Sequence, residues 1–230
     1  MKLSAITLAR AIALVETFDL NPRGQVFSPD LVRALVEHYN FQKFPQTPTE
    51  LDEDKGVEFA TGKAGNTVID KFTVWRTGLG LETRSSTEDS KQILEGMLEW
   101  GAEKCGLAYE SGMIKRWVYV SNLTFYSNVP LLTLLSDALA KLSKRTSEAL
   151  SQILGEPIEY ETVMVSAQHD LLTRKYATAP FSIQRRLETP FADNKYYSEA
   201  PLPTDLHIEL LEKFEADVVR SLPKAVARKG

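Results

Sequence analysis

The stretch from Asn128 to Leu154 constrains this chain most, because it has the length and spacing of one long amphipathic helix. Asn128 is a favourable N-cap, and Pro130 falls in the first turn, where a missing N–H costs little. Apolar residues then recur at helical spacing and form one stripe: Leu131, Leu135, Ala138, Leu139, Leu142, Ala149, Leu150 and Ile153. Gly155 ends the pattern. A helix of this kind needs an apolar surface to lie on, so the sequence predicts a central helix over 129–154 that packs on a sheet.

The segments around this helix predict an α+β protein. Alternating or β-branched residues predict strands at 6–18, 56–61, 67–77, 113–126, 158–166 and 181–187. Further helices are predicted to begin at the capping residues Ser28, Ser85 and Thr204. The expected order is β-α-β-β-α-β-α-β-β-α, with a mixed or mainly antiparallel sheet. The first half has the element order of a ferredoxin-like split βαβ unit, and one larger mixed sheet is equally compatible.

Composition limits the class of protein. The 230 residues are 43% hydrophobic and 25% charged, which is ordinary for a globular chain. We expect one domain over 1–222 and a basic flexible tail at 223–230. A net charge of −4 disfavours nucleic acid as a general partner. No apolar run reaches the roughly 18 residues of a membrane span, so we expect a soluble, cytoplasmic protein without a membrane partner.

The catalytic and cofactor motifs in this sequence are incomplete. Residues 56–64 resemble a phosphate-binding loop, but five residues separate the glycines and Ala64 stands where the motif needs Ser or Thr. Cys105 falls in the last turn of a helix, where the dipole disfavours a thiolate. A single cysteine also excludes a multi-cysteine zinc site. We therefore predict no catalytic residue, no metal site and no cofactor. A metal-dependent hydrolase or nuclease that uses the acidic loop 50–58 is kept as one alternative.

The stretch 185–204 is the strongest candidate for a binding surface, because it combines arginines, tyrosines and prolines in one long connection. Arginine and tyrosine are enriched in interface hot spots. The residues expected to contact a partner are Arg185, Arg186, Phe191, Tyr196 and Tyr197. A loop pinned across the sheet edge explains the same residues about as well. On the first interpretation, the protein is non-enzymatic, acts through protein–protein contacts and associates with itself.

Two predicted strands carry a second candidate surface. Lys71 and Trp75 share one face of the first strand, and Lys115, Trp117 and Tyr119 share one face of the second. If the strands were neighbours and this face were open, bases could stack on the rings beside the lysines. The protein would then be a nucleic-acid-binding module. Coverage of that face by a helix is favoured, because the apolar helix stripes need a surface to bury.

Overall fold

The computed structural model describes residues 1–26, 28–170 and 178–221. They form two compact units, each built from separate stretches of the chain. The N-terminal unit consists of the described residues among Ile6–Ser121 and Pro201–Asp205, and the C-terminal unit of those among Met1–Ala5, Asn122–Ala200 and Leu206–Gly230. The predicted tail 223–230 lies outside the described residues, and the single domain over 1–222 stays a prediction.

The described residues form eight strands and five α-helices. The strands are β1 (Lys2–Leu14), β2 (Val57–Ala64), β3 (Thr67–Trp75), β4 (Gly78–Thr83), β5 (Arg116–Tyr126), β6 (Met164–Ala167), β7 (Phe181–Arg185) and β8 (Lys195–Ala200). The helices are α1 (Thr17–Leu20), α2 (Ser28–Tyr39), α3 (Thr87–Cys105), α4 (Asp137–Leu154) and α5 (Thr204–Ser221), and two short 3-10 helices cover Pro48–Leu51 and Phe191–Asp193. The pairs β1/β4, β2/β3, β3/β4, β6/β7 and β7/β8 are antiparallel. The α+β class with an antiparallel sheet is therefore confirmed.

The N-terminal unit contains strands in the order β2-β3-β4-β1-β5, with α2 and α3 packed on one face. The sequence of β1 shows how this face forms: Ala9, Ala11 and Ala13 are fully buried, and the residues between them are partly exposed. This alternation places every second side chain in the buried layer. Residues from the strands and both helices complete the core, among them Tyr39, Phe59, Phe72, Leu81, Leu94 and Leu98.

Two buried threonines in the N-terminal unit cap each other's backbone. The Thr204 N–H donates to Thr87 Oγ1 over 2.7 Å, and the Thr87 N–H donates to Thr204 Oγ1 over 3.0 Å. Thr87 begins α3 and Thr204 begins α5, so each helix start satisfies an N–H group of the other. The N-cap of α3 is Ser86 and not the predicted Ser85, because the Ser86 hydroxyl accepts the Asp89 N–H at 3.0 Å.

The C-terminal unit contains strands in the order β5-β8-β7-β6 and has a core of its own. Phe125 of β5 stacks on Tyr196 of β8 with ring centroids 5.6 Å apart, and both side chains are fully buried. Leu131 and Leu132, in the turns after β5, are also fully buried. These four residues place the chain between β5 and α4 in the core of this unit.

Glu215 of α5 holds the turn after β5 in the C-terminal unit. Its buried carboxylate accepts the Ser127 hydroxyl at 2.5 Å and the Asn128 N–H at 2.9 Å, and it pairs with the Met1 ammonium. Burial raises the pKa of this carboxyl, but the three donors together lower the pKa below its usual value. The carboxylate is therefore held ionised, and it anchors the chain where the predicted central helix was expected to start.

The predicted central helix over 129–154 is wrong in its start and in its burial. α4 begins only at Asp137, and residues 129–136 form turns. Leu131 and Leu132 leave the helical pattern because the core of the C-terminal unit buries them completely. Leu139 and Leu142, which the pattern places in the core, are 39% and 61% exposed. Helical periodicity identified the part of the apolar stripe from Ala138 to Ile153, but it did not show whether this side of the helix is covered.

The predicted element order also differs from the observed one. β4 lies outside every stretch predicted to be a strand, and β8 lies in the long connection predicted at 185–204. The strand predicted at 158–166 is confined to Met164–Ala167. Within β8, Tyr196, Ser198 and Ala200 are buried while their neighbours are partly exposed. The period of two was therefore present in the sequence, but the surrounding prolines favoured a loop interpretation.

Two leucine substitutions test the burial assignment. We expect Leu94→Ala to lower the free energy of unfolding by about 2–5 kcal/mol, because Leu94 is fully buried and its loss leaves a cavity. Leu142→Ala should change the free energy of unfolding by less than about 0.5 kcal/mol, because the side chain is largely exposed. Urea unfolding at the lowest usable protein concentration keeps association from contributing. Equal losses in the two variants would contradict the exposed position of α4.

Candidate interaction surface

α4 is attached to the C-terminal unit along a row of serines on one edge. Ser147 and Ser151 are one helical turn apart, so their side chains project from the same edge. The Ser147 hydroxyl accepts the Tyr160 N–H at 2.8 Å, and the Ser151 hydroxyl accepts the Ile158 N–H at 2.9 Å. The chain after α4 therefore returns alongside this edge in the opposite direction. None of the 18 residues of α4 is buried, so these hydrogen bonds are prominent among the contacts that position it.

The apolar side of α4 is left open to solvent. We call the set Leu139, Leu142, Ala149, Leu150 and Ile153 the α4 stripe. Leu142 is 61% exposed and Ile153 is 74% exposed, and Leu154 next to them is also exposed. Tyr160, Val163 and Met164, on the returning segment, add further exposed apolar side chains. Isolated apolar residues are normal on a protein surface, whereas a stripe of them along a helix makes α4 a candidate interaction surface.

The two borders of the α4 stripe carry opposite charge. At 100° per residue, Lys141 and Arg145 lie on the border away from the serines. Glu156 and Glu159 lie on the returning segment, beside the serine border. All four side chains are exposed, and none forms an ion pair with another described residue. The surface is thus apolar in its centre and basic on one side, and the returning segment carries two exposed carboxylates beyond the serine edge.

Arg185, the first of the predicted contact residues, is a buried support of the β7–β8 hairpin. Its guanidinium pairs with the Glu161 carboxylate and donates to the Phe191 carbonyl over 2.6 Å. The same group lies over the Phe191 and Tyr196 rings, 4.9 Å and 5.2 Å from their centroids. Arg185 is only 7% exposed. A buried arginine with these partners holds its own hairpin together, as in the pinned-loop interpretation.

The other predicted contact residues divide between core and surface. Tyr196 is fully buried and pairs with Arg185 across the hairpin. Phe191 and Tyr197 are half-buried, and burial is the main cause that raises the pKa of the Tyr197 hydroxyl. Arg186 alone among the five is fully on the surface, beside the exposed Leu187. The role of these five residues in partner binding stays a prediction. The side chains of Arg185 and Tyr196 are buried and are therefore not available to a partner on the folded unit.

The residues proposed for a nucleic-acid platform lie on opposite faces of the sheet. Leu79 and Leu81 belong to the buried cluster, so Gly80 between them faces the other side. The Trp75 indole lies against Gly80, where an added Cβ would come within 2.8 Å of the ring.

Trp117 instead packs against the buried cluster, 5.4 Å beneath the Lys91 ammonium. Tyr119 is two residues further along β5 and therefore lies on the same side. Burial, and then the Glu88 and Glu95 carboxylates of α3, raise the pKa of its hydroxyl. Lys71 pairs with Glu58, and Lys115 pairs with Glu16 at 3.5 Å. β4 and β1 also separate β3 from β5 in the sheet order. The single open platform that the sequence suggested is therefore not formed.

The acidic loop 50–58 has its carboxylates bound separately. Arg76 makes two hydrogen bonds to Asp54, at 2.6 Å and 2.7 Å, and lowers the pKa of that carboxyl. Lys55 pairs with Asp52 at 3.0 Å and lowers its pKa in the same way. Glu53 accepts the Thr17 hydroxyl at 2.6 Å. Across the described ranges, no group of three or more His, Cys, Asp or Glu side chains could hold a metal ion.

A serine–histidine contact that sequence reasoning did not find lies in the C-terminal unit. His207 Nε2 is 2.8 Å from Ser198 Oγ, and both residues are fully buried. The Ser198 hydroxyl donates to the Ser182 carbonyl over 2.7 Å, so its proton points away from the ring. A general base must accept the nucleophile's proton, and here the ring N–H must donate to the serine instead. The contact stabilises β7, β8 and α5 and does not resemble a catalytic dyad.

The two neighbouring arginines provide a matched test of this assignment. We expect Arg185→Met to lower the free energy of unfolding by about 2–4 kcal/mol, because it leaves the largely buried Glu161 carboxylate unpaired. Arg186→Met should change the free energy of unfolding by less than about 0.5 kcal/mol, since Arg186 is exposed. Both values come from urea unfolding followed by circular dichroism. Similar stability of the two variants would show that Arg185 does not hold the hairpin.

Comparisons with known proteins give no assignment for this chain. No protein-family model matches its sequence, and no curated protein matches it. In the described part of the chain, every helix is too short or too polar to cross a lipid bilayer.

Proposed function

We propose that this is a non-enzymatic cytoplasmic protein that acts through protein–protein contacts, and that it associates with itself through the α4 stripe. One observation carries the proposal. An 18-residue helix is fixed by serine hydrogen bonds on one edge, and its side chains Leu139, Leu142, Ile153 and Leu154 are left exposed to water. Full burial of each such side chain is worth about 1.5–3 kcal/mol. A partner that covers the stripe therefore gains the free energy of apolar burial that the folded unit does not obtain from these side chains.

A second copy of the chain suits this surface because its charges complement each other. In a pair of copies related by a two-fold axis parallel to α4, each stripe faces the other stripe. The basic border of one copy then meets the acidic side of the other, and this happens twice by symmetry. Glu159 lies between the levels of Ser147 and Ser151, so Arg145 is about 6 Å away along the helix axis. An arginine side chain spans such an offset.

The antiparallel arrangement of two α4 helices is disfavoured by the same charges. A two-fold axis perpendicular to the helices places each border against its own copy. Arg145 and Lys141 would then face the partner's identical basic residues, and like charges in close contact oppose association. We therefore propose the parallel pair, in which Arg145 of one copy contacts Glu159 of the other and every stripe residue lies opposite its own copy.

The nucleic-acid and hydrolase alternatives have less support. The aromatic and lysine residues of the first lie on two faces of the sheet, and Lys71 and Lys115 are paired with carboxylates. The acidic loop of the second has three of its carboxylates bound to Thr17, Lys55 and Arg76. The α4 stripe supplies exposed apolar area, and charged residues of both signs lie beside it. An apolar centre with a polar rim is the composition of a protein-binding surface.

Charge reversal on one copy and its repair test the proposed pair. Arg145→Glu should weaken association at least about tenfold, because it faces Glu159 of the second copy with a like charge. The double variant Arg145→Glu with Glu159→Arg should restore association, since it exchanges the two borders. Sedimentation equilibrium over a wide concentration range measures each constant. Leu142→Glu with Ile153→Glu should abolish association.

Lys104→Glu, an exposed charge reversal at the end of α3, is the matched control and should leave association unchanged. A wild-type protein that stays monomeric at all concentrations would remove self-association. Dimers that survive Leu142→Glu with Ile153→Glu would place the interface elsewhere on the molecule. Thermal melts of each variant separate a lost interface from a lost fold.

A further inference from the structure

The N-terminal unit contains an apolar cavity that the proposed self-association does not use. Described residues from the sheet, α1, α2 and α3 line a partly open cavity of about 120 Å³. Its inner wall is formed by Leu20, Leu35, Phe72, Leu94, Met97 and Leu98. Most of these side chains also belong to the buried cluster of this unit. The cavity is thus a gap in a core, walled by carbon atoms.

The size of this cavity fits a small ring system. An engineered apolar cavity of about 150 Å³ stays free of water and binds benzene, because water finds too few polar partners there. Ligand pockets in proteins are mostly apolar, with a few placed polar groups that fix orientation. A volume of 120 Å³ with an apolar wall matches that pattern for a single compact ring compound.

The polar groups of the cavity lie at its rim, and one of them has a free acceptor. Thr17, Asn21, Ser28 and Glu53 line the rim. The Asn21 side-chain amide donates to the Val26 carbonyl over 3.0 Å and accepts the Val26 N–H at 3.2 Å. Glu53 Oε2 accepts the Thr17 hydroxyl at 2.6 Å, while Glu53 Oε1 accepts no hydrogen bond from another described residue. Its carboxylate therefore presents an acceptor beside an apolar cavity.

We infer that this cavity binds a small, mainly apolar ring compound that carries one N–H or O–H donor. The ring fills the space between α2, α3 and the sheet, and the donor bonds to the Glu53 carboxylate. The inference concerns the N-terminal unit alone and does not depend on α4 or on self-association.

Two probes of the same shape test this inference. Indole carries an N–H donor, and benzofuran replaces that group with an oxygen that cannot donate. Isothermal titration calorimetry should show saturable binding of indole at one site per chain, about tenfold tighter than benzofuran, as a hydrogen bond to a charged group provides. Glu53→Met should remove the preference for indole and leave benzofuran binding unchanged.

A pair of substitutions on one helix locates the site. Leu31 lines the cavity and Val36 lines a separate groove on the same helix. Leu31→Phe should weaken both probes at least about tenfold by filling the space, and Val36→Phe should not. Met97→Phe fills the cavity from α3 and keeps the test decisive if Leu31→Phe does not fold.

Three results would overturn the inference: no saturable binding of either probe at millimolar concentration, equal affinity for the two probes, or binding that both filling variants leave intact. Each of these results is independent of the oligomeric state, so the inference can fail while the proposed self-association stands, and the reverse holds too.

Discussion

The hydrogen bonds from Tyr160 and Ile158 to Ser147 and Ser151 determine what α4 can do. Each serine hydroxyl accepts a backbone N–H of the returning segment, so α4 is held along one edge without burying a single residue. If apolar contacts had attached the helix, the α4 stripe would be buried within its own unit. The serine edge separates attachment from the apolar surface and leaves leucines and isoleucine free for another chain. The proposed function depends on this division of roles within one helix.

The residues of the stretch 185–204 that were expected to bind a partner instead make contacts within their own unit. Arg185, Phe191 and Tyr196 resemble interface hot spots in composition, but their contacts are with one another and with Glu161. The Arg185 guanidinium lies over two rings, pairs with the Glu161 carboxylate and donates to the Phe191 carbonyl, and all of these partners belong to the C-terminal unit. Composition alone therefore does not separate a residue that binds a partner from one that fastens its own loop. The fraction of each side chain left exposed makes the distinction here.

Local patterns in the sequence predicted the parts of the fold that depend on local rules. The period of two in β1 and the starts of α2 at Ser28 and α5 at Thr204 follow from backbone and capping preferences. Two features depended on distant residues and were not predicted. Leu131 and Leu132 lie outside the helix because they pack in a core that also contains Tyr196. Arg185 pairs with Glu161, which is 24 residues earlier in the chain. The α4 stripe was recognised, but periodicity reports only that a side is apolar and not whether the same chain covers it.

Cross-linking between copies tests the central claim most directly, because it reports which residues of α4 meet. Cysteine is placed singly at Leu142, Thr146 and Ile153 in a Cys105→Ser background, and each variant is treated with a short bifunctional thiol reagent. Thr146 lies on the same side of α4 as Leu142 and Ile153. Two parallel helices bring every residue of this side opposite its own copy, so all three variants should cross-link efficiently. Antiparallel helices centred on Thr146 would separate the two copies of position 142 by about 12 Å along the axis and those of position 153 by about 21 Å. Cross-linking at Thr146 alone would therefore contradict the parallel pair, and cross-linking at none of the three would contradict the assignment of the α4 stripe as the self-association surface.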